Sequence, residues 1–534
     1  MFVRLARAAV LGLALGASGC ATVSQNLYAT SAVEEAAWPY ATPTLHPEKE
    51  VVWGVLPNGL RYAILPNKTP KRSVSLRLHI AAGSLDETDD QQGLAHFLEH
   101  MAFNGSKNVP EGDMVKILER FGLAFGPDTN AFTSFDQTVY QLDLPSNGDA
   151  IVDQGLSLLN ETARNLTLAP DSIDRERGVI KSELRLRDTP AYRAYVAGAK
   201  FVMPDARLTQ RLPIGQKQII EGAPRSAFEE LYKRAYRPDR ALLVVTGDID
   251  AAKIAEKVNG RFSDWTKDGK ADETPKAGPI KAGELDAGYF FDPEVKTSIA
   301  FSFIKPPTDP KDSLAERKTS MMRDLANAVF SRRLRALARH ADAKILGGAG
   351  YFDDSYHAAD MSVLMLSAEP KNWREALTVG EQELRRAVTY GFSKAEVDEQ
   401  LSEMRASYRN AAEYAPTRKT ADLADALVAA AHDKSVFTHP DDDLALFESF
   451  ARGVSAKTLS QAFRADWSGA EPRIFLVSSA KIDNARESIL AAYKQSRAQA
   501  VAKPKRTSSD AFAYTKFGAP GVVAEQKEVA DLAS

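Results

Sequence analysis

His96 and His100 stand four residues apart in GLAHFLEHMAFNG, Gly93 to Gly105, with Glu99 immediately before the second histidine. The chain has only eight histidines in 534 residues, so two in one five-residue window ask for a reason. On a helix over Asp90 to Phe103, with Thr88, Asp89 and Asp90 as capping candidates, both imidazoles lie one turn apart on one face and can reach a single cation. A catalytic zinc takes neutral imidazoles at about 2 Å, uses three protein ligands and keeps one place for water, whose pKa it lowers to about 7. Glu99, one residue off the histidine row, is placed to take the proton of that water. The apolar neighbours Leu94, Phe97, Leu98 and Met101 predict that the segment is buried on one side. Three polar groups on it then need partners, and a metal supplies them.

A third ligand must come from elsewhere. The segment DRERGVIKSELRLRD predicts a helix from Pro170 to about Asp188, with Glu176 and Glu183 two turns apart on one face. Either carboxylate can reach the metal while the other hydrogen-bonds a ligand histidine; the spacing does not choose between them. Other chemistries find little support. There is no Walker-type phosphate loop, and Leu346 to Gly350, LGGAG, lacks the acidic residue and helix that a dinucleotide site needs. Lys plus Arg numbers 68 against 71 for Asp plus Glu, a near balance that gives no electrostatic reason to expect nucleic acid as a partner.

These residues need elements to hold them, and the chain has an order from which the elements can be read. Residues 1–19 form a secretory signal, with Arg4 and Arg7 before the apolar run AAVLGLALGA. Cys20, the only cysteine, follows small residues as in the lipobox of bacterial lipoproteins, so residues 20–47 read as a lipidated tether. Ala21 in place of an aspartate points to the outer membrane, facing the periplasm. A single cysteine excludes a disulfide within the chain. Residues 48–266 form the domain with the histidine pair. It comprises a hairpin over Val51 to Asn67, a half-buried strand over Ser73 to Gly83, the motif helix, a strand over Thr138 to Leu144, the glutamate helix, and the strand and helix of ALLVVTGDIDAAKIAEKVNGRF. Residues 267–287 have linker composition. In residues 288–500 the order recurs, with strands at TSIAFSFI, MSVLMLSA and RIFLVSS and helices near Ser320 to His340, Trp373 to Tyr390 and Lys394 to Tyr408, but without the histidine–glutamate cluster. Residues 501–534 read as a tail or connector. The expectation is an α+β protein of two homologous domains, each an antiparallel-rich sheet with helices packed on one face.

Taken together, AAGSLDETDDQQGLAHFLEHMAFNGS, NAFTSFDQTVYQLDLP and RERGVIKSELRLRDTP resemble the pitrilysin/insulinase family of inverted-motif zinc metallopeptidases, of the bacterial periplasmic type, over Glu48 to about Arg497. The resemblance implies the LuxS/processing-peptidase-like metalloenzyme fold. It also implies one Zn2+ per chain on His96, His100 and Glu183, Glu99 as general base, and Glu176 as the carboxylate behind a ligand histidine. The implied activity is that of a zinc endopeptidase acting on extended or unfolded peptides in the cell envelope; the alternative is a non-catalytic assembly or scaffold subunit. Substrate would add as a strand to a sheet edge at Asn130, Ala131, Phe132, Thr133 and Ser134, whose free N–H and C=O groups can pair with any extended peptide. Family enzymes close two such halves around substrate, so a homodimer or a complex with a second peptidase-like half is expected. Long members of the family hold the scissile carbonyl with an arginine–tyrosine pair in the distant half, and no such pair is assigned in this sequence.

Overall fold

The computed structural model describes Trp38 and residues 45–124, 126, 128–267, 277–278, 280–354, 356–504, 518 and 521. The signal, Cys20 and nearly all of the tether and the C-terminal tail lie outside the described residues.

The first sheet contains β1 (Val52–Val55), β2 (Arg61–Pro66), β3 (Val74–Ile80), β4 (Thr129–Thr133), β5 (Thr138–Leu144) and β6 (Ala241–Gly247), in the spatial order β1-β2-β6-β3-β5-β4. All neighbours are antiparallel except β2 and β6. The second sheet contains β7 (Asp286–Phe291), β8 (Ser298–Lys305), β9 (Gly347–Asp353), β10 (Asp360–Ser367) and β11 (Pro472–Ser478), in the order β7-β11-β8-β10-β9, again with one parallel pair, β7 with β11. Setting β1 aside, the two orders and the two patterns of strand direction coincide, with β4 and β9 as equivalent edges. This is the duplication expected from the recurring sequence order, carried by topology more than by residue identity.

Each sheet has its own apolar core. In the first, Leu76, Leu78, Leu243 and Val245 pack with Leu156 and Leu159 of the helix Asp149–Arg164 and with Phe228 of the helix Arg225–Ala235. In the second, Ile299, Phe301, Leu364 and Leu476 pack with Phe330, Leu377 and Ile489 of three helices. The GGAG of the LGGAG segment opens β9. Its Gly350 is there for packing, since a Cβ at that position would lie 2.6 Å from the Phe330 ring.

To the expected layering the structure adds a second cover on each sheet, lent by the other half. Four helices matter here: α1 (Leu94–Met101), α2 (Pro170–Arg187), α3 (Pro190–Val202) and α4 (Thr420–His432). Leu423, Ala424, Leu427 and Val428 of α4, a helix of the second half, pack on Ala63, Leu65, Val139, Leu242 and Val244 of the first sheet. In return Phe201 of α3 stacks on Phe475 of β11 at 5.6 Å between ring centroids. The expectation of a half-buried β3 is corrected accordingly: all seven residues are buried. The alternation is present, but the polar side faces α4 instead of water. Arg77 Nε donates to Asp425 at 2.6 Å and Nη1 to Asp143 at 2.8 Å, and His79 Nε2 lies 3.3 Å from His432 Nδ1.

Candidate metal centre

The motif helix begins four residues later than the capping residues suggest. Gly93, at φ 102°, precedes α1 and donates no side-chain cap. The cap is Glu87, whose Oε1 accepts the N–H groups of Gly93 at 3.0 Å and Ala95 at 2.8 Å, doing for the exposed amides of the first turn what a Ser or Asp N-cap does elsewhere. Asp89 is taken by Arg211, and Asp90 accepts from Thr88 Oγ1, so neither reaches the helix. Glycine is required at 93 on two counts: its left-handed backbone, and Gly215 of a neighbouring loop, whose Cα would lie 2.8 Å from a Cβ. From this start Leu94, Phe97, Leu98 and Met101 point into the first core, with Phe97 edge-on to Phe228 at 4.9 Å. His96, Glu99 and His100 are thereby turned toward α2.

The N1 proline Pro170 starts α2. Arg177 ties it down by donating to the carbonyls of Ile220 and, at 2.7 Å, Ala223. Glu183 Oε2 then lies 3.4 Å from His96 Nε2 and 3.5 Å from His100 Nε2. Two donor atoms bound at about 2.1 Å with a tetrahedral angle between them are separated by about 3.4 Å, so these spacings fit a small divalent cation. His96, His100 and Glu183 are also the group of three whose ligand atoms all fall within 4.8 Å of one another among the described residues. Glu176, two turns earlier, reaches the far side of the second imidazole: its Oε1 is 2.8 Å from His100 Nδ1, and its Oε2 accepts from Asn104 Nδ2 at 3.0 Å. The two glutamates that spacing alone left equivalent thus occupy different positions. His96 Nδ1 is buried without a hydrogen-bond partner, so the two imidazoles are unequally supported.

Burial pulls His96 down to about 4, more than Glu183 raises it, and keeps it in the neutral form that a metal requires. His100 is also desolvated, but hydrogen bonds to Glu176 and Glu183 outweigh that and raise it to about 9. A divalent cation would compete with this proton for the same lone pair, so metal binding is coupled to proton release. The bond to His100 holds Glu183 down at about 2 despite partial burial, with Arg187 contributing through Oε1 at 2.8 Å. Glu99 is buried, which lifts its carboxyl to about 7, although Thr133 Oγ1 donates to its Oε2 at 2.6 Å. That value suits a general base at neutral pH.

β4 lies at the free edge of the first sheet beside Glu99. Of the five residues expected to receive a peptide, Asn130 to Thr133 are in the strand; Ser134 lies past its end in the turn, where its hydroxyl donates to Asp136 at 2.9 Å. Asn130 Oδ1 accepts from Ala131 N at 2.9 Å, which places that N–H outside the β4–β5 ladder. Phe132 projects outward at 42% exposure, and Val179 and Leu186 of α2 and Tyr195 of α3 are also exposed. Sequence reasoning missed Glu87, Arg187 and the link from Thr133 to Glu99. Arg187 had a legible signal, four residues after Glu183 on the same helix; the other two depend on tertiary approach.

Residues 62–195 match the family profile described as Insulinase (Peptidase family M16), and residues 223–404 match the profile of the Peptidase M16 inactive domain, which together take in more than half of the chain. The chain is 40% identical over 210 residues to the probable zinc protease PqqL of Haemophilus influenzae, a match spanning 39% of this chain and 23% of that protein. It is 28% identical over 424 residues to the probable zinc protease PqqL of Escherichia coli, spanning 78% of this chain and 45% of that one. Among solved structures, the first half of the periplasmic protease PqqL from Escherichia coli aligns with a TM-score of 0.78 at 25% identity, covering 87% of this chain and all of the other. The match spans less than half the length of either curated relative.

Proposed function

Because this chain belongs to the insulinase family of peptidases, M16, we propose that it is a zinc-dependent endopeptidase that hydrolyses extended or unfolded peptides in the bacterial cell envelope. The observation that carries this reading is the convergence of His96 Nε2, His100 Nε2 and Glu183 Oε2 beside a buried Glu99, next to an unpaired sheet edge. In this reading those three side chains hold one zinc ion per chain. When bound, the metal supplies Lewis acidity, polarising a peptide carbonyl and acidifying water. Glu99 takes the proton from water and passes it to the departing amine, and Thr133 keeps one of its oxygens oriented. Glu176 fixes the His100 ring and its tautomer by accepting the Nδ1 proton. Arg187, bound to Glu183 Oε1, leaves Oε2 for the metal. β4 pairs with the substrate main chain, a mode that would accept many side chains and would require an unfolded segment.

The exposed apolar side chains Phe132 of β4, Val179 and Leu186 of α2 and Tyr195 of α3 support closure by a second peptidase-like half, supplied by another copy or another polypeptide. Light scattering coupled to size exclusion tests that closure, and a fully active monomer argues against it. The named Escherichia coli neighbour is a periplasmic protease. For this chain, periplasmic placement with an outer-membrane lipid anchor at Cys20 is the matching proposal; a Cys20→Ser protein should appear in the soluble envelope fraction. Among the described residues no helix is long and apolar enough to cross a membrane.

The deciding experiment is cleavage of a quenched peptide. Activity should be lost with a chelator, return with zinc, and fall by a factor of about 100 to 10,000 in Glu99→Gln while bound zinc is unchanged. A zinc-loaded wild type that cleaves no peptide in any assembly state would point to the scaffold reading instead.

A further inference from the structure

The turns of the two equivalent edge hairpins, β4–β5 and β9–β10, meet. Phe135 in the first packs edge-on against Tyr356 in the second, with ring centroids 5.0 Å apart. Tyr356 and His357 both hold left-handed backbone, φ 59° and 60°, a conformation costly for residues of this size and kept only where surroundings demand it. The residue after Phe135, Asp136, is held from the second half as well: His432 Nε2, at the end of α4, lies 3.2 Å from Asp136 Oδ2. The direction of these bonds follows from partners. The Asp136 carboxylate can only accept, so His432 Nε2–H donates to it, leaving His432 Nδ1 to accept from His79 Nε2–H. This assignment leaves His79 Nδ1 as a bare lone pair, in keeping with its lack of a hydrogen-bond partner.

The clamped turn is continuous with the candidate site. Asp136 Oδ1 accepts from Ser134 Oγ at 2.9 Å, and the Ser134 carbonyl accepts from Ser84 N at 3.1 Å. Thr133, one residue earlier and last in β4, donates to Glu99 at 2.6 Å. A run of four residues, Thr133 to Asp136, therefore joins the base and the free strand edge to two side chains of the half that has no metal cluster of its own among the described residues.

We propose that His432 and Tyr356 are positioning residues for peptide recognition: they fix the β4–β5 turn, and through it the height and angle of the β4 edge relative to Glu99. The second half then takes part in substrate alignment without touching substrate. The inference rests on reading β4 as the peptide-binding edge.

The test is the binding of a fluorescent extended peptide to zinc-loaded Glu99→Gln protein, which should bind without turnover, with zinc per chain measured beside it. Adding His432→Ala should raise Kd about tenfold, Asp136→Asn should do the same, and the two together should be no worse than either alone. Tyr356→Ala should also weaken binding, and Tyr356→Phe, which keeps the ring contact, should restore it. Zinc content should stay constant throughout, and Kd is read well below each melting temperature, where a purely structural contact lowers stability without moving Kd. If the His432→Ala protein does not fold, Asp136→Asn and the Tyr356 pair carry the comparison. Kd values within about twofold of the parent for His432→Ala and Tyr356→Ala, with the parent binding peptide, overturn the proposal and leave the edge reading intact. A zinc-loaded parent that binds no extended peptide removes the edge reading and this inference with it.

Discussion

Replacing Glu87 by glutamine should flatten the pH dependence of folding stability. Glu87 is fully buried; its Oε1 accepts two backbone N–H groups at the start of α1, and its Oε2 has no hydrogen-bond partner. Burial pushes its carboxyl up to about 8, against the pull of those N–H groups and of Arg211, whereas in the unfolded chain it has its ordinary value of 4.5. Between these two values the folded protein keeps a proton that the unfolded chain gives up. The stability contributed is complete below the lower value, declines by about 1.4 kcal/mol for each pH unit above it, and levels off once the folded carboxyl has ionised. Glutamine keeps the carbonyl acceptor and does not titrate. The stability of Glu87→Gln relative to wild type should therefore climb by about 3 kcal/mol between about pH 5 and about pH 7. Urea unfolding of both proteins, followed by tryptophan fluorescence across that range, reads the change as a diverging midpoint. Midpoints that move in parallel would mean that Glu87 is ionised in both states, and the reasoning from burial would be refuted.

Removing Glu176 with Glu176→Ala should weaken zinc binding by about 10 to 100-fold, measured by competition with a chelating indicator; an unchanged affinity would detach Glu176 from the site. Thr133→Val removes the donor that favours ionised Glu99, so the acidic limb of a kcat/KM profile should move to higher pH; an unmoved limb would separate Glu99 from the rate. Asp425→Ala leaves buried Arg77 with Asp143 as its remaining carboxylate partner, and should cost about 1–3 kcal/mol in urea unfolding, the Asp425 side being half exposed.

The metal-site residues were legible because their spacing lies on single helices: four residues between the histidines and seven between the glutamates are whole turns, which survive into the structure unchanged. The strand Thr138–Leu144 and the helix Trp373–Tyr390 were readable to the residue from alternation and periodicity. What could not be read depends on approach between distant segments. The motif helix is shorter than its pattern suggested because Glu87, and not one of three better N-cap formers, reaches its first amides. The choice between Glu176 and Glu183 is set by the angle of α2 to α1, which Arg177 helps to fix by donating to the end of the short helix Lys217–Gly222. β7 and β9 escaped notice for a different reason: DAGYFF and GGAGYFD carry glycine where neighbouring rings need room, and glycine weakens a strand signal.

The helix that roofs the sheet of the first half, α4, is encoded far downstream, beyond every strand of that sheet. A gene fragment stopping at the linker would therefore yield a metal-site half with Ala63, Leu65, Leu242 and Val244 open to water and Arg77 stripped of Asp425. Such a fragment should aggregate, and chimaeras between relatives that exchange one half alone should inherit mismatched roofs. What evolution can shuffle here is the interlocked pair, since the boundary visible along the polypeptide does not coincide with any cleavage plane in space.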